Sequence, residues 1–136
     1  MRRTRFLCAV LALFVISAAA LAVADGAWLR RVPQADRQRV NPYAGKQEAV
    51  AAGKLLFAEN CAQCHGADAE GLRGRPSLRS LRVAAATDGE LAWLLRNGSL
   101  ARGMPSWSSL PEPKRWQLIA FLRSLPHDAA PATPHP

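Results

Sequence analysis

Two cysteines and a histidine stand together in the stretch ENCAQCHGADAEG, and they are the residues of this chain best suited to chemistry. Cys61 and Cys64 are three positions apart, and His65 follows at once. Positions i and i+3 lie on the same side of a helical turn, so both thiols can react along one edge of a planar ligand. C-x-x-C-H is the attachment signature of c-type haem. The motif therefore predicts two thioether bonds from the cysteines and an imidazole that faces the iron.

Two other uses of the cysteines fit the chain less well. A structural zinc site needs four ligands, and beyond the motif the sequence offers only His127 and His135, both in a proline-rich tail. A thioredoxin-like redox pair needs a strand before the motif and a βαβ surrounding, and the sequence shows neither pattern. Haem is the favoured interpretation.

A sixth ligand for the iron is available in Met104, within RGMPSW, 39 residues after His65. A His and Met pair is one of the axial sets of haem iron, and the thioether raises the reduction potential. A lone methionine is often core filler, but this one lies between Gly103 and Pro105, where no periodic pattern places a core residue. Ligation by His127 in place of the methionine remains the minor alternative.

The N-terminal residues have the composition of an export segment. MRRTR is followed by nineteen uncharged residues, Phe6 to Ala24, which end in the small residues Ala22-Val23-Ala24. This pattern predicts a signal peptide, residues 1–24, cut before Asp25. An uncut anchor is the competing interpretation, since the run reaches membrane-spanning length and its arginines would stay on the cytoplasmic side. Either way, we expect the remainder in the periplasm, soluble or anchored to the inner membrane.

The charge balance is basic but not organised for nucleic acid. Of 18 basic and 10 acidic residues, only three arginines fall in the export segment, so 15 minus 10 leaves a formal charge of +5. The arginines are scattered among Pro, Ser and apolar residues, and no nucleic-acid module is visible. A mild positive charge favours acidic protein or membrane surfaces.

The chain divides by composition into a leader, one domain and a tail. We expect an extended linker over 25–43, a domain over 44–126 and a disordered Pro-rich tail over 127–136. Three helices are predicted in the domain, at 47–63, at 87–98 with a Thr87 and Glu90 capping box, and from about 111 to 125. No segment alternates with period two, so the fold class is all-α. So small a core should need a cofactor at its centre.

From Tyr43 to Pro126 the chain resembles a class I, mono-haem cytochrome c. The segments that carry the likeness are AAGKLLFAENCAQCHG, RPSL, ELAWLLRNG, GMPSW and LPEPKRWQLIAFLRSL, in that order. The resemblance implies three to four short helices wrapped around one covalently attached haem c. It also implies that Gly53 and Phe57 lie where the first helix crosses the last, with Phe57 against Phe121 or Trp116.

Further site roles follow from the same resemblance. Pro76 matches the proline whose carbonyl accepts a hydrogen bond from the free ring nitrogen of His65. Trp107 matches an aromatic residue near the methionine side of the pocket, although it could equally anchor a surface loop. Candidates for binding the haem propionates are Arg73, Arg75, Arg79 and Arg102.

A carrier of single electrons is the function that these features predict. With both axial positions filled, the iron has no open site for a substrate, so we expect an electron-transfer protein and not an enzyme. Its partners would be redox proteins, with a dehydrogenase, including quinoproteins, as donor and a terminal oxidase or other respiratory acceptor. The alternative is a haem enzyme or ligand sensor in which Met104 dissociates from the iron.

Overall fold

The computed structural model describes residues 27–128, which divide after Val32 into two units. The described part of the first unit forms one 3₁₀ turn, Leu29–Arg31. The described part of the second unit contains a 3₁₀ turn at Leu100–Arg102 and six helices: α1 Gln34–Arg37, α2 Gln47–Asn60, α3 Ala62–His65, α4 Leu81–Ala85, α5 Asp88–Asn97 and α6 Glu112–Ser124. Residues 27–128 contain no strand and a single isolated bridge, in agreement with the predicted all-α class.

The crossing of α2 and α6 forms the centre of the core. A Cβ on Gly53 would lie 2.7 Å from the carbonyl carbon of Gln117 and 2.8 Å from Cβ of Phe121, so only glycine permits this approach. One turn later Phe57 meets Phe121 with ring centroids 5.3 Å apart, tilted by 49°. The predicted crossing is confirmed, and Phe121 is the aromatic partner of Phe57.

Helix α5 begins and ends where its sequence predicts. The side-chain oxygen of Thr87 accepts a hydrogen bond from the backbone amide of Glu90 at 3.1 Å. The backbone amide of Thr87 donates a hydrogen bond to the Glu90 carboxylate at 2.8 Å, which completes a capping box. At the other end, Gly98 adopts φ +69°, a region that glycine enters without strain. The first predicted helix is shorter than expected, because α2 ends at Asn60 and not at 63.

Residues 33–41 differ from the expected extended linker, and we call them the N-terminal strap. They contain the one-turn helix α1, and Arg37 pairs with Glu90 at 2.5 Å. Asn41 is buried and donates from Nδ2 to the backbone oxygen of Trp116 at 3.0 Å. The strap is therefore part of the folded domain. The sequence did not indicate this, because its partners are distant along the chain and the segment is too short to show a period.

A glycine in α5 allows the strap to lie directly on that helix. A Cβ on Gly89 would be 3.0 Å from both the carbonyl carbon of Asp36 and the oxygen of Arg39, and closer still to the Asp36 oxygen. The Asp36 carboxylate also pairs with Arg96 at 3.3 Å. Backbone contact and ion pairs together hold the strap on α5.

The start of the expected tail is also bound to the domain. The Ser77 hydroxyl donates to the Asp128 carboxylate at 2.6 Å, and the Asp128 amide donates to the Arg79 oxygen at 2.9 Å. Residues 127 and 128 therefore do not belong to a disordered tail. Residues 129–136 and the predicted export segment 1–24 lie outside the described residues. None of the helices within 27–128 has the length and apolar character needed to cross a bilayer.

Candidate haem site

The two cysteines lie on a turn that is separated from α2 by a break in the backbone. Cys61 has φ −122° and ψ −36°, which ends α2, and its carbonyl accepts from the amides of Cys64 at 3.1 Å and His65 at 2.9 Å. Both thiols are free, with Cys61 half-buried and Cys64 exposed. The motif therefore occupies its own short helix, α3, with both sulfurs available for covalent attachment.

Burial, and to a smaller extent the negative charge of an ionised Cys64, raise the pKa of the Cys61 thiol to about 11. Reactive redox cysteines have the opposite property, a lowered pKa that keeps them as thiolates at neutral pH. The pair therefore does not resemble an activated thioredoxin-like site.

The ring of His65 is oriented by Pro76. Nδ1 lies 3.0 Å from the Pro76 carbonyl oxygen. Because a carbonyl can only accept, Nδ1 must carry the proton, and the lone pair then resides on Nε2. A partner of this kind fixes the orientation of a ligating imidazole and raises its basicity. The structure thus contains the predicted His65 and Pro76 contact, with Nε2 left as the atom able to bind iron.

The loop that carries Pro76 is folded back on α3 through Gly71. Gly71 has φ +89°, and its amide donates to the His65 oxygen at 2.8 Å. A Cβ at this position would lie 2.6 Å from the Arg75 oxygen and 2.9 Å from the Ser77 amide nitrogen. Both the dihedral angle and the lack of space require glycine here. This turn brings the Pro76 carbonyl to the imidazole.

Met104 lies on a second loop, which is attached to the end of α5. Its backbone forms a two-hydrogen-bond bridge with Ser99, at 2.8 Å and 3.1 Å. The following residues return to α5, since the Ser106 hydroxyl donates to the Arg96 oxygen at 2.6 Å. A Cβ on Gly98 would lie 2.6 Å from the Pro105 carbonyl carbon. Gly98 therefore ends α5 and also makes room for the methionine loop.

Comparison with known proteins identifies the family of the chain. A family model described as cytochrome c oxidase, cbb3-type, subunit III, matches residues 48–122, more than half of the 136-residue chain. The chain belongs to this family. It is a c-type cytochrome domain, related to electron-carrier cytochromes c, and it binds haem c covalently.

Individual relatives match parts of longer proteins. The cbb3-type cytochrome c oxidase subunit CcoP of Rubrivivax gelatinosus is 64% identical over 31 residues, which cover 23% of this chain and 10% of that protein. Subunit FixP of Sinorhizobium medicae (strain WSM419) is 40% identical over 80 residues, 56% of this chain and 27% of that protein. The chain thus corresponds to about a quarter or less of the length of these relatives. A solved structure, cytochrome cL from Methylophaga aminisulfidivorans MPT, is similar with a TM-score of 0.57 and 27% identity, over 64% of this chain and 59% of that one.

The donor set of this cytochrome domain fits haem. Two neighbouring thiols and an imidazole with a free Nε2 supply what covalent attachment and axial ligation require. Within residues 27–128, no group of three or more His, Cys, Asp or Glu side chains is arranged to hold a metal ion. Cys61, Cys64 and His65 are therefore the residues that would hold the haem, and Met104 is the candidate for a further ligand.

The arginines considered for the propionates differ in their surroundings. Arg79 pairs with Glu70 and Asp128 and donates to the Pro126 oxygen, so it binds the chain's own C-terminal segment. Arg73 and Arg102 are exposed on the two loops. Arg75 donates from Nη1 to the Arg102 backbone oxygen at 2.7 Å. This contact, which sequence reasoning missed, joins the loop of Pro76 to the loop of Met104.

Trp107 is half-buried, and its backbone contacts two helices. Its amide donates to the Leu95 oxygen at 2.8 Å, and its own carbonyl accepts from Arg115 at 3.4 Å. Trp107 therefore anchors the methionine loop between α5 and α6.

Proposed function

We propose that this cytochrome domain is an exported one-electron carrier whose haem is linked to Cys61 and Cys64 and ligated by His65 and Met104. One-electron exchange between ferric and ferrous iron is the chemistry that haem c supplies when bound. The observation that carries the proposal is the hydrogen bond from His65 Nδ1 to the Pro76 carbonyl, at 3.0 Å, which leaves Nε2 for the iron.

The chain's own residues contribute a rigid ligand set. Pro76 holds the imidazole in one orientation, and Gly71 holds the Pro76 loop in place. The bridge between Ser99 and Met104 holds the thioether donor in a fixed loop. A ligand set that changes little between the ferric and ferrous states keeps the reorganisation energy of electron transfer small, as a carrier of single electrons requires.

Replacement of Met104 by alanine tests the ligand assignment. We expect Met104→Ala to remove the weak red absorption band of methionine-ligated ferric haem, to lower the reduction potential, and to admit cyanide or carbon monoxide. Leu100→Ala is the matched control, because Leu100 lies in the same loop and is 78% exposed. A wild-type protein that is high-spin and binds carbon monoxide readily would support a ligand-binding enzyme or sensor. An unchanged spectrum and potential in the Met104 variant would exclude this methionine as a ligand.

Acidic redox proteins are the partners that the surface favours. The two loops joined by Arg75 also expose Arg73, Arg102 and two apolar side chains, Leu72 at 43% and Leu100 at 78% exposure. Apolar contacts inside a basic surface suit brief docking on a partner with acidic residues. The relatives named as cbb3-type oxidase subunits support a respiratory terminal oxidase as acceptor. A dehydrogenase, including quinoproteins, is the proposed donor.

Stopped-flow oxidation of the reduced protein by a cbb3-type oxidase tests the partner. We expect the rate to fall as salt is raised, since exposed charges are screened beyond about 10 Å at 0.1 M. Arg73→Gln should weaken this salt dependence, whereas Lys46→Gln, a basic change outside both loops, should leave it intact. A rate independent of salt in the wild type would contradict docking through these arginines.

Export is proposed from the sequence of residues 1–24. Mass spectrometry of the purified holoprotein reports both the covalent haem and cleavage before Asp25, and fractionation separates a soluble form from an anchored one. Recovery of the haem-bound protein in the cytoplasm would refute the periplasmic assignment.

A further inference from the structure

We infer that Arg75 is a positioning residue that holds the methionine loop against the loop of Pro76, and so keeps Met104 in place to bind iron. This inference rests on the proposed ligation by Met104. It concerns the contact between the loops that carry Pro76 and Met104, and not the docking of a partner.

The position of Arg75 in the chain gives it access to both ligand loops. It directly precedes Pro76, whose carbonyl accepts from His65 Nδ1 at 3.0 Å. Its guanidinium donates to the Arg102 backbone oxygen at 2.7 Å, and Arg102 is two residues before Met104. A single side chain therefore connects the backbone that orients the imidazole with the backbone that carries the thioether.

The guanidinium of Arg75 packs against the backbone of Gly103. This residue has φ +74°, and a Cβ there would lie 2.5 Å from Nη1 and 3.1 Å from Nη2 of Arg75. The guanidinium thus packs against the backbone of the residue that immediately precedes Met104. The contact comprises both a charge-assisted hydrogen bond and close packing, which together limit the movement of the loop.

The attachments of the methionine loop to α5 and α6 lie on its C-terminal side, and the bridge between Ser99 and Met104 closes the loop on itself. Ser106 donates to the Arg96 oxygen, and the Trp107 amide donates to the Leu95 oxygen. These contacts fix the C-terminal side of the loop. Arg75 acts on its N-terminal side, at Arg102 and Gly103, and it ties that side to the opposite ligand loop. Without Arg75, the segment just before Met104 should leave its position more readily.

The affinity for added imidazole reports how readily Met104 leaves its position. Imidazole binds ferric iron only when Met104 has dissociated, so its apparent affinity increases with the fraction of protein in the dissociated state. Loss of one net hydrogen bond of typical strength changes such an equilibrium by about fivefold. We expect Arg75→Gln to bind imidazole about fivefold more tightly than the wild type, in a spectrophotometric titration of the ferric holoprotein.

Arg82→Gln is the matched control. It removes the same charge from an exposed residue of the neighbouring helix α4, and no hydrogen bond or ion pair of the Arg82 side chain is present among residues 27–128. We expect its imidazole affinity to stay within about twofold of the wild type, since an exposed charge without a partner contributes little. Equal effects of the two variants would mean that charge alone acts, and would overturn the inference.

A double-mutant cycle tests the contact from its other side. Gly103→Ala should displace the guanidinium and increase imidazole affinity in the wild-type background. In the Arg75→Gln background the same change should have a smaller effect, because the contact is already lost. Additive effects would show that Arg75 and Gly103 act separately, and would refute the proposed link.

The remaining outcomes separate this inference from the proposed function. If Arg75→Gln shifts the reduction potential but leaves imidazole affinity and the red band unchanged, Arg75 is a propionate ligand and the inference fails. If the wild type lacks the red band, or Met104→Ala leaves imidazole affinity unaltered, the proposed ligation fails first. Denaturant unfolding of each holoprotein shows whether a variant has lost the fold; a lost red band in a globally destabilised Arg75 variant counts against a local role.

Discussion

Gly53→Ala is the substitution whose effect on stability is set most directly by the helix crossing. A methyl group at Gly53 would lie 2.7 Å from the Gln117 carbonyl carbon and 2.8 Å from Phe121 Cβ, and closer still to the Gln117 oxygen. Ordinary contact begins near 3.4 Å, so α2 and α6 must separate by more than 0.7 Å, because the Gln117 oxygen is closer than its carbonyl carbon. The rings of Phe57 and Phe121, now 5.3 Å apart, would separate with them.

The expected magnitude follows from two opposing effects. Overpacking against a backbone carbonyl costs about 3 kcal/mol, the upper end of the usual range. Replacing a helical glycine by alanine increases the free energy of unfolding by about 1 kcal/mol, because alanine has the higher helix propensity. The net loss of unfolding free energy is therefore about 2 kcal/mol, which corresponds to a decrease in Tm of roughly 10 °C for a domain of this size.

Denaturant unfolding of the haem-bound protein, followed by circular dichroism, measures this loss. Ala58→Gly is the matched control, because Ala58 is exposed on the same helix and reports propensity alone, about 1 kcal/mol of destabilisation. If Gly53→Ala were as stable as the wild type, or more stable, the close crossing of α2 and α6 would be refuted.

Three further predictions concern the strap and the ends of the helices. Gly89→Ala should push Asp36 away from α5, and faster tryptic cleavage within the strap would reveal the release; an unchanged digestion pattern would contradict the packing. Thr87→Ala should lower the free energy of unfolding by about 1 kcal/mol through loss of the cap of α5, measured in urea, and a neutral effect would show that the cap contributes nothing. The hydrogen bond from the Trp116 indole lowers the pKa of Glu112, so this carboxylate stabilises the fold above its ordinary pKa near 4.5, and the benefit disappears as the pH falls through the lower folded value. The stability difference between the wild type and Glu112→Gln should therefore shrink below about pH 4.5, and a difference that stayed constant to pH 2 would refute this assignment.

Local patterns in the sequence predicted those features whose partners lie near each other along the chain. The haem motif needs residues only three and four apart, and the cap of α5 joins residues three apart. The role of Pro76 and the crossing of the first and last helices came from the resemblance to class I cytochromes c, and the contacts of His65 with Pro76 and of Phe57 with Phe121 are present. The axial roles of His65 and Met104 remain predictions until the holoprotein is measured.

The strap was the main feature that sequence reasoning missed, although one signal was available. Gly89 lies inside α5, where glycine costs up to about 1 kcal/mol relative to alanine, and such a residue often marks a close approach of backbone. The contacts of Glu90 likewise show that local sequence patterns do not indicate partners that are distant along the chain. Its role in the capping box was predicted, but its second oxygen binds Arg37, 53 residues earlier in the chain, and no local pattern records that pair.

By itself, the sequence determined the covalent attachment motif, the helical class and the ends of α5, because each depends on residues within one or two turns of one another. Only the tertiary structure decided that residues 33–41 belong to the domain and that Arg75 reaches the loop of Met104. The physical reason is that these contacts join segments 27 to 75 residues apart, and their energy depends on how the helices bring those segments together.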